Sequence, residues 1–227
     1  MSEALPVIAI LGGTGDLGTG LARRWAQAGY QVIIGSRTRE KALAAAEDLA
    51  AVMAGRGVGS VNVRAMENLE AAEAADICAM TVPFAHQAAT LQQVKPALIG
   101  KILIDVTVPL VPPKVARVQL PEQGSAGVIA QQILGDEVNV VSAFQNVAAH
   151  HLQEGQGMNC DVLVCGNKKD ARAAVITLVE AAGMRGFHAG SIANAAATEA
   201  LTSLLIFINK QYGCHAGIRI TGLEQDA

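Results

Sequence analysis

The sequence of 227 residues is poor in charged and aromatic side chains, which make up 16% and 3% of it, and its net charge is only −3 at pH 7. Proteins that bind nucleic acid or an anionic membrane surface usually carry an excess of lysine and arginine, which this sequence lacks. Hydrophobic residues make up 51% of the chain, so an intrinsically disordered protein is also excluded. We therefore expect a folded protein without a nucleic-acid or membrane partner.

Cysteine is scarce as well. The four cysteines are Cys78, Cys160, Cys165 and Cys214, and no two of them have the C-x-x-C spacing. A chain of this length buries a sufficient core without disulfides, so we expect reduced thiols in a cytoplasmic protein. Residues 5–11 are apolar, but a glycine-rich segment follows them instead of a cleavage site, which indicates a first strand and not a signal peptide.

Short apolar runs alternate along the chain with alanine-rich segments. The apolar runs predict strands at residues 7–11, 31–34, 61–64, 77–82, 102–108, 138–143 and 162–164. The segments between them predict helices at residues 17–28, 39–54, 86–91, 127–134 and 169–182. Repeated strand–helix–strand units have right-handed crossovers, so the pattern predicts an α/β fold of the Rossmann type, with a doubly wound and mainly parallel sheet.

The residues after the first predicted strand match the pattern G-x-G-x-x-G. They are Gly13, Thr14, Gly15, Asp16, Leu17 and Gly18. In such a loop we expect Gly13 to allow a tight turn, Gly15 to let the backbone approach a pyrophosphate, and Gly18 to let the next helix pack closely. Because a strand precedes the pattern and a helix follows it, a dinucleotide site is predicted, and a purely structural turn is the alternative.

The end of the second predicted strand distinguishes NAD from NADP. Proteins that bind NAD usually have a carboxylate there for the ribose 2′-hydroxyl. This sequence has Ser36, Arg37 and Thr38 instead, with Lys41 shortly after them. Hydroxyl, guanidinium and ammonium groups suit a 2′-phosphate, so NADP is the predicted cofactor; a solvated helix start is the alternative.

Together, these motifs resemble a known family, the F420-dependent NADP oxidoreductases, which are NADPH-dependent reductases of coenzyme F420. The resemblance is carried by the glycine loop, by Gly35-Ser36-Arg37 with Glu40-Lys41, by Thr81-Val82-Pro83-Phe84 with His86, and by residues 140–144, 161–166, 189–190 and 199–202. It therefore covers nearly the whole chain.

The resemblance implies hydride transfer between NADP(H) and the deazaflavin coenzyme F420, which is large, flat and acidic-tailed. Since the two cofactors carry the chemistry, no catalytic residue and no metal are expected. The expected cofactor-binding residues outside the first two motifs are Thr81, Val82, Pro83, His86, Val108, Gln145, Asn146, Val147 and Thr202. Polar groups near Gln145, Asn146 and Thr202 are the candidates to stabilise charge on the deazaflavin.

The sequence departs from the family pattern at two places. Gln145-Asn146-Val147-Ala148 stands where the family has a stretch similar to His-Thr-Ile-Pro, and Thr202-Ser203 stands where Thr-Pro is frequent. Two other functions stay open: an NADP-dependent reductase of an imine, keto acid or flavin, and a non-enzymatic NADP(H)-binding protein. Reductases of the former kind usually have a longer helical C-terminal domain, which favours the deazaflavin.

The last part of the chain suggests how the protein is organised. We expect an NADP-binding Rossmann domain over residues 1–145 and a small C-terminal domain over residues 146–227 that completes the substrate cleft. The segment from Ile192 to Ile208 is apolar, but polar residues interrupt it, so a buried helix is predicted instead of a membrane span. Its apolar surface predicts a homodimer contact. His150 and His151 are expected to point to different sides as a surface pair.

Overall fold

A computed structural model describes residues 4–59, 61–154 and 158–222. The strands are β1 Ile8–Leu11, β2 Val32–Ser36, β3 Val63–Glu67, β4 Ile77–Met80, β5 Ile102–Asp105, β6 Asn139–Ser142, β7 Asp161–Gly166 and β8 Arg185–His188. The α-helices are α1 Asp16–Gln27, α2 Arg39–Gly55, α3 Asn68–Ala74, α4 Phe84–Leu98, α5 Ala126–Leu134, α6 Ala149–Glu154, α7 Lys169–Ala181 and α8 Ala195–Tyr212. A 3₁₀ turn, Ile192–Asn194, leads into α8.

The described strands form one eight-stranded sheet in the order β3-β2-β1-β4-β5-β6-β7-β8. Every neighbouring pair is parallel except β6 and β7, which are antiparallel. The predicted doubly wound, mainly parallel fold is therefore confirmed. From β1 the chain first adds β2 and β3 on one side and then β4 and the later strands on the other side, so the strand order switches between β1 and β4. Open α/β sheets bind ligands at the carboxyl ends of the strands at such a point.

Two hydrophobic cores lie on opposite faces of this sheet. In β1, Ile8 and Ile10 belong to one core, whereas Ala9 and Leu11 belong to the other. All four side chains are fully buried, as expected for a parallel strand covered by helices on both faces. The first core also contains Trp25 of α1, whose indole N–H donates to the Leu178 carbonyl of α7 at 2.8 Å.

Several elements differ from the sequence-based prediction. The third strand covers Val63–Glu67 and not residues 61–64, and the helix predicted near residues 86–91 extends over Phe84–Leu98. Helices α3 and α6 were not predicted. They contain seven and six residues, which is too short for a clear apolar periodicity. A capping box between Glu67 and Glu70 fixes the start of α3.

The C-terminal part continues the sheet. Strands β7 and β8 join it at β6, and α6 packs on α1 of the N-terminal part. The division into domains at residues 145 and 146 stays a prediction, and its outer limits, residues 1 and 227, lie outside the described residues. The predicted boundary therefore falls between β6 and β7 of one continuous sheet.

Helix α8 and its preceding turn, Ile192–Tyr212, are long and apolar enough to cross a membrane by length and composition alone. Buried helices of globular proteins meet the same criterion, but only 33% of the most apolar stretch of this segment is buried, which corrects the predicted buried helix to a partly buried one. Here Glu199 is buried and its carboxylate accepts the backbone N–H groups of Ala126 and Gly127 at 2.7 and 3.0 Å. These contacts are those of a helix docked on α5 within the globular fold.

A buried carboxylate joins the last two strands to the C-terminal segment. Asp161 is 1% exposed and accepts two hydrogen bonds from Arg185, both of 2.8 Å, and one from the Ile220 N–H at 2.6 Å. Burial alone raises the pKa of Asp161. The hydrogen bonds from Arg185 and Ile220 and the charges of Arg185 and Arg219 outweigh burial, so that the pKa lies below its ordinary value of 3.8.

We expect Asp161→Asn to lower the free energy of unfolding at pH 7 by roughly 2 kcal/mol, because the ionised partner of Arg185 is lost. Since the folded-state pKa is lowered, the carboxylate stabilises the protein above pH 3.8 and loses this effect as the pH falls further. The difference between the two proteins in urea denaturation should therefore shrink below about pH 4. The exposed Asp170→Asn is the control, and equal stability of all three proteins at pH 7 would contradict the assignment.

Candidate cofactor-binding site

The turn between β1 and α1 requires glycine at successive positions for different reasons. Gly12 has a φ of +72°, a left-handed conformation that favours glycine. A Cβ at Gly13 would lie 2.8 Å from the carbonyl oxygen of Ile10. The sequence analysis gave the tight turn to Gly13 alone. The structure corrects this: the left-handed residue is Gly12, and Gly13 is needed because the turn lies against its own strand.

The start of α1 is open on one side. Gly15 is the N-cap, no side chain caps the helix, and a Cβ built at Gly15 would meet no protein atom within 4 Å. At Gly18, in contrast, a Cβ would lie 2.7 Å from the Cα of Gly13, so the helix packs directly on the turn. The first N–H groups of α1 and the positive end of its dipole thus face free space at the edge of the sheet, which suits a phosphate.

A cleft beside this turn unites residues from four separate segments, and we call it the nucleotide cleft. Its lining is Gly12, Thr14, Ser36, Arg37, Lys41, Asn68, Val82, Pro83, His86 and Thr90. The sequence analysis predicted seven of these as cofactor-binding residues. Arg37 and Lys41 make the lining cationic, and no carboxylate belongs to it within the described ranges.

Nearby charged residues are engaged elsewhere. Arg39 makes an ion pair with Glu70 of α3, with 2.6 Å between Nη2 and Oε2. Glu67 lies beside Ser36 in the sheet, but its carboxylate accepts a backbone N–H of α3. Arg37 and Lys41 are therefore the cations of this region that face the nucleotide cleft.

Asn68 is a site residue that the sequence analysis missed. Its side chain is 2% exposed, and its Oδ1 accepts the Gly12 N–H at 3.0 Å. A Cβ at Gly35 would lie 2.9 Å from the same oxygen. Asn68 thus holds the turns after β1 and β2 together. The capping-box pair of Glu67 and Glu70 was the available signal for a helix start at this residue.

A second cleft lies between the segment after β6 and helix α8, and we call it the ring cleft. It is lined by Gln145, Asn146, Val147, Ala148, Thr202, Leu205, Ile206, Asn209 and Ala216. The structure therefore brings together the three residues that the sequence analysis named as candidates for the deazaflavin, Gln145, Asn146 and Thr202, with the predicted cofactor-binding residue Val147. Phe144 directs the chain into this cleft: its φ is +72°, unusual for a bulky residue, and its ring packs edge-on against Trp25.

The polar donors of the ring cleft are largely used within the protein. Asn146 Nδ2 donates to the Thr198 carbonyl at 2.8 Å, and Thr202 Oγ1 donates to the Gln145 carbonyl at 3.0 Å. Gln145 Nε2 donates to Ser142 Oγ and to the Asp105 carbonyl, which leaves its Oε1 buried without a partner. These amides hold α8 and β5 in place, so they are not the free donors that we expected.

Eight predicted residues line neither cleft. Five of them form the turn after β1 and the start of α1, namely Gly13, Gly15, Asp16, Leu17 and Gly18, and the other three lie elsewhere. Thr81 Oγ1 donates to the Leu11 carbonyl at 3.1 Å and so joins the ends of β1 and β4. Thr38 is exposed before α2, and its side chain makes no capping hydrogen bond. Val108 is half-buried in the loop after β5. These positions border the clefts through the backbone segments they belong to.

Two buried acids behind the clefts were also missed. Burial raises the pKa of Asp105 to about 6 and that of Glu199 to about 8, although hydrogen bonds oppose both shifts. Gln87 lies between the two acids. Its Nε2 donates to Asp105 Oδ2 at 2.6 Å and to the carbonyl of Ala126 at 3.1 Å, and the N–H of Ala126 donates to Glu199. This network fixes α4, β5, α5 and α8 relative to one another. In the sequence, the only feature that could have predicted it is an acidic residue within an apolar run.

The adjacent histidines differ from the expectation. His150 Nε2 and His151 Nδ1 lie 3.1 and 2.9 Å from the two oxygens of Glu154, and the ring of His215 lies 4.8 Å from that of His150. They therefore converge on one carboxylate and do not point to different sides, because a six-residue helix and the C-terminal segment meet here. Among the described residues, no group of three or more histidine, cysteine or acidic side chains is arranged to hold a metal ion.

Comparisons with known proteins agree on one family. Residues 7–109 match the family described as NADP oxidoreductase, coenzyme F420-dependent. The F420-dependent NADP reductase of Methanocaldococcus jannaschii is 40% identical over 223 residues, which cover 96% of this chain and 99% of that protein. The F420-dependent NADP reductase of Methanothermobacter marburgensis is 42% identical, with the same shares of both chains covered.

Solved structures give the same result. A protein from Arthrobacter described as an F420-dependent NADP reductase superimposes with a TM-score of 0.76 at 27% identity, over 92% of this chain and 96% of that chain. An imine reductase from Myxococcus stipitatus is also similar, with a TM-score of 0.63 over 92% of this chain and 62% of that chain, but its 20% identity indicates a shared fold alone. The chain belongs to the family of F420-dependent NADP reductases.

Proposed function

We propose that this protein is an NADP-dependent oxidoreductase that transfers a hydride between NADP(H) and the deazaflavin coenzyme F420. The observation that carries the proposal is the nucleotide cleft, in which a glycine turn and two cations, Arg37 and Lys41, meet, and no carboxylate is among the described residues of its lining. The ring cleft adds an apolar wall near the carboxyl edge of the sheet. Family membership selects the deazaflavin among the substrates that such a fold accepts.

The described residues fit NADP at three places. The open side of Gly15 and the first N–H groups of α1, from Asp16 to Gly18, form the pyrophosphate cradle, with Gly13 and Thr14 in the turn before it. Ser36, Arg37 and Lys41 bind the 2′-phosphate, and Thr38 lies beside them. The backing of the nicotinamide ribose comes from the segment Thr81, Val82, Pro83 and His86, together with Val108.

The mechanism requires position more than protein chemistry. When bound, the two cofactors supply the hydride donor and the hydride acceptor. Val147, Leu205 and Ile206 provide the apolar surface that excludes water beside the transferred hydride. No side chain has to act as nucleophile or base.

The assembly and location are part of the same proposal. We expect the small C-terminal part, from residue 146 on, to complete the ring cleft, as it supplies α8. The cytoplasm suits the cysteines, since Cys78, Cys160 and Cys165 are buried free thiols. Helix α8 leaves Leu204 and Phe207 52% and 56% exposed on one side, and such apolar patches usually mark a contact with a second copy of the chain.

The function is tested by absorbance spectroscopy. With excess NADPH, oxidised coenzyme F420 should lose its visible absorbance band at a rate proportional to the enzyme concentration. Free flavins, imines and simple ketones should react far more slowly under the same conditions. Turnover of an imine or ketone without reaction of the deazaflavin would establish the alternative reductase function, and binding of NADPH without any turnover would indicate a non-enzymatic protein.

The preference for NADP is tested at Arg37. Arg37→Ala should weaken NADPH binding about tenfold or more, because one charge-assisted contact to the 2′-phosphate is lost, and should leave NADH binding nearly unchanged. The matched control is Arg39→Ala, since Arg39 is paired with Glu70 outside the cleft. Equal losses for both nucleotides, measured by fluorescence titration, would refute the assignment.

The phosphate cradle is tested by two glycine substitutions with opposite expectations. Gly15→Val should fold normally, because no protein atom opposes its side chain, yet should fail to bind either nucleotide. Gly18→Ala should instead lower the Tm, because its Cβ would collide with the backbone of Gly13. Normal NADPH binding by Gly15→Val in a calorimetric titration would mean that the turn is only structural.

The dimer is tested at the centre of the exposed apolar face of α8. The wild-type protein should have the mass of a homodimer by light scattering at micromolar concentration. Phe207→Asp should be a monomer with an unchanged circular dichroism spectrum, because a charge is expensive to bury at an apolar interface. A monomeric wild-type protein would contradict the proposal.

A further inference from the structure

Asp105 ends the strand that lies between the two clefts. In the register of the sheet, Asp105 is paired with Met80 at the end of β4 on one side and with Ser142 at the end of β6 on the other. The segment after β4 lines the nucleotide cleft, and the segment after β6 lines the ring cleft. Because neighbouring strands lie about 4.8 Å apart, β5 determines how far these two segments are from each other.

The carboxylate of Asp105 is completely buried and accepts donors from two segments. Its Oδ2 accepts the Nε2–H of Gln87 at 2.6 Å, and its Oδ1 accepts the backbone N–H of Thr107 at 3.0 Å. Gln87 follows His86, which lines the nucleotide cleft, and Thr107 precedes Val108, which the proposed function places beside the nicotinamide ribose. The carboxylate therefore fixes the chain on both sides of the expected nicotinamide position.

The backbone of the same residue is attached to the ring cleft. The carbonyl oxygen of Asp105 accepts the Nε2–H of Gln145 at 2.8 Å and the N–H of Ala143 at 3.2 Å. Gln145 lines the ring cleft, and its own carbonyl accepts the hydroxyl of Thr202, which lines the same cleft from α8. One buried residue is therefore bonded to a lining residue of the ring cleft and to the neighbour of a lining residue of the nucleotide cleft.

A second connection runs from Asp105 to α8. The Nε2 of Gln87 also donates to the Ala126 carbonyl at 3.1 Å, and the N–H groups of Ala126 and Gly127 donate to the carboxylate of Glu199. Helix α4, the segment after β6 and helix α8 are thus all attached to Asp105. Neither Asp105 nor Gln87 belongs to the described lining of either cleft, so both residues act through these contacts and not by touching a cofactor.

We propose that Asp105 is a positioning residue for hydride transfer, which sets the distance between the two cofactor rings. This inference rests on the proposed function, because it needs a cofactor in each cleft. The reacting atoms must lie about 3–3.5 Å apart, and a displacement of about 1 Å can lower the rate about 100-fold. An ionised carboxylate suits this role, because both of its oxygens are acceptors and each of them faces an N–H donor.

The test separates kcat from the binding constants. Asp105→Asn keeps the size of the side chain but places an N–H donor against one of the two donors that the carboxylate accepts. The kcat for the reduction of coenzyme F420 by NADPH should fall about tenfold or more, whereas the KM for the coenzyme and the Kd for NADPH should stay near the wild-type values. With NADPH deuterated at the transferred position, the kinetic isotope effect on kcat should be at least as large as in the wild type, because the hydride step is the one that slows.

A second variant tests the same connection without changing Asp105. Gln87→Met keeps a similar side-chain length and removes the amide, so it should fold and show a similar fall in kcat at unchanged KM and Kd. The double variant should be no slower than the slower single variant, because residues that act as a unit have non-additive effects. Independent effects would instead multiply in the double variant, and this result would contradict the inference.

The matched control is Ser125→Ala, in the same region of the fold. The hydroxyl of Ser125 is buried and caps α5 by accepting the N–H of Val128 at 3.0 Å, outside the hydrogen bonds of Asp105. Loss of this cap should lower the Tm and leave kcat unchanged. An equal fall of kcat in this control would mean a general loss of structure and would overturn the positioning role.

The outcomes separate this inference from the function on which it rests. If the wild-type enzyme reduces the coenzyme, but the variants fold and keep its kcat or lose affinity for a cofactor instead, Asp105 is only structural and the function stands. If Asp105→Asn does not fold, as judged by circular dichroism, Gln87→Met decides by the same criteria. If the wild-type enzyme does not reduce the coenzyme, the proposed function fails, and this inference fails with it.

Discussion

The contact between α1 and the turn after β1 is the constraint on which the site depends. Gly18 lies so close to Gly13 that any side chain would collide with backbone, and this closeness brings the start of α1 to the edge of the sheet. Two further close approaches lie beside it: a Cβ at Gly12 would collide with Val82, and a Cβ at Gly35 would collide with Asn68. Four loops are thereby packed together, because the glycines have no side chains that would separate them. A space lined by N–H groups and cations is the result, and it needs no movement to receive a phosphate.

Buried charges then determine how the C-terminal part is attached. Asp161 joins β7 and β8 to the last described segment, Glu199 docks α8 on α5, and Arg24 binds the carbonyls of α6. Each of these groups would be costly to bury alone, and each is satisfied by backbone groups or by an opposite charge. Because such partners are directional, they fix the geometry of α6 and α8 more tightly than apolar contacts do. Helix α8 lines the ring cleft, and α6 begins directly after Ala148 of its lining.

The charge distribution links binding to the rest of the surface. The chain as a whole is weakly acidic, yet Arg37 and Lys41 lie together in the nucleotide cleft, where we expect the phosphate groups of NADP. The ring cleft has an apolar wall of Val147, Leu205 and Ile206 beside its polar residues. This arrangement suits an anionic nucleotide whose flat, reactive ring meets that of a second cofactor in a region from which water is excluded.

The sequence by itself determined the features that depend on local pattern. Continuous apolar strands, alanine-rich helices and the glycine loop indicated the fold class, and the residues Ser36, Arg37 and Lys41 predicted NADP, because each signal lies within a few neighbouring residues. The tertiary structure decided what depends on residues far apart in the chain. It assigned the left-handed turn to Gly12, found Asn68 between two loops, and engaged the amides of Gln145 and Asn146 within the protein. It also brought His215 to His150, and Gln87 between Asp105 and the start of α5. A side chain's hydrogen-bond partner is set by the packing of whole elements, and no periodicity in the sequence records it.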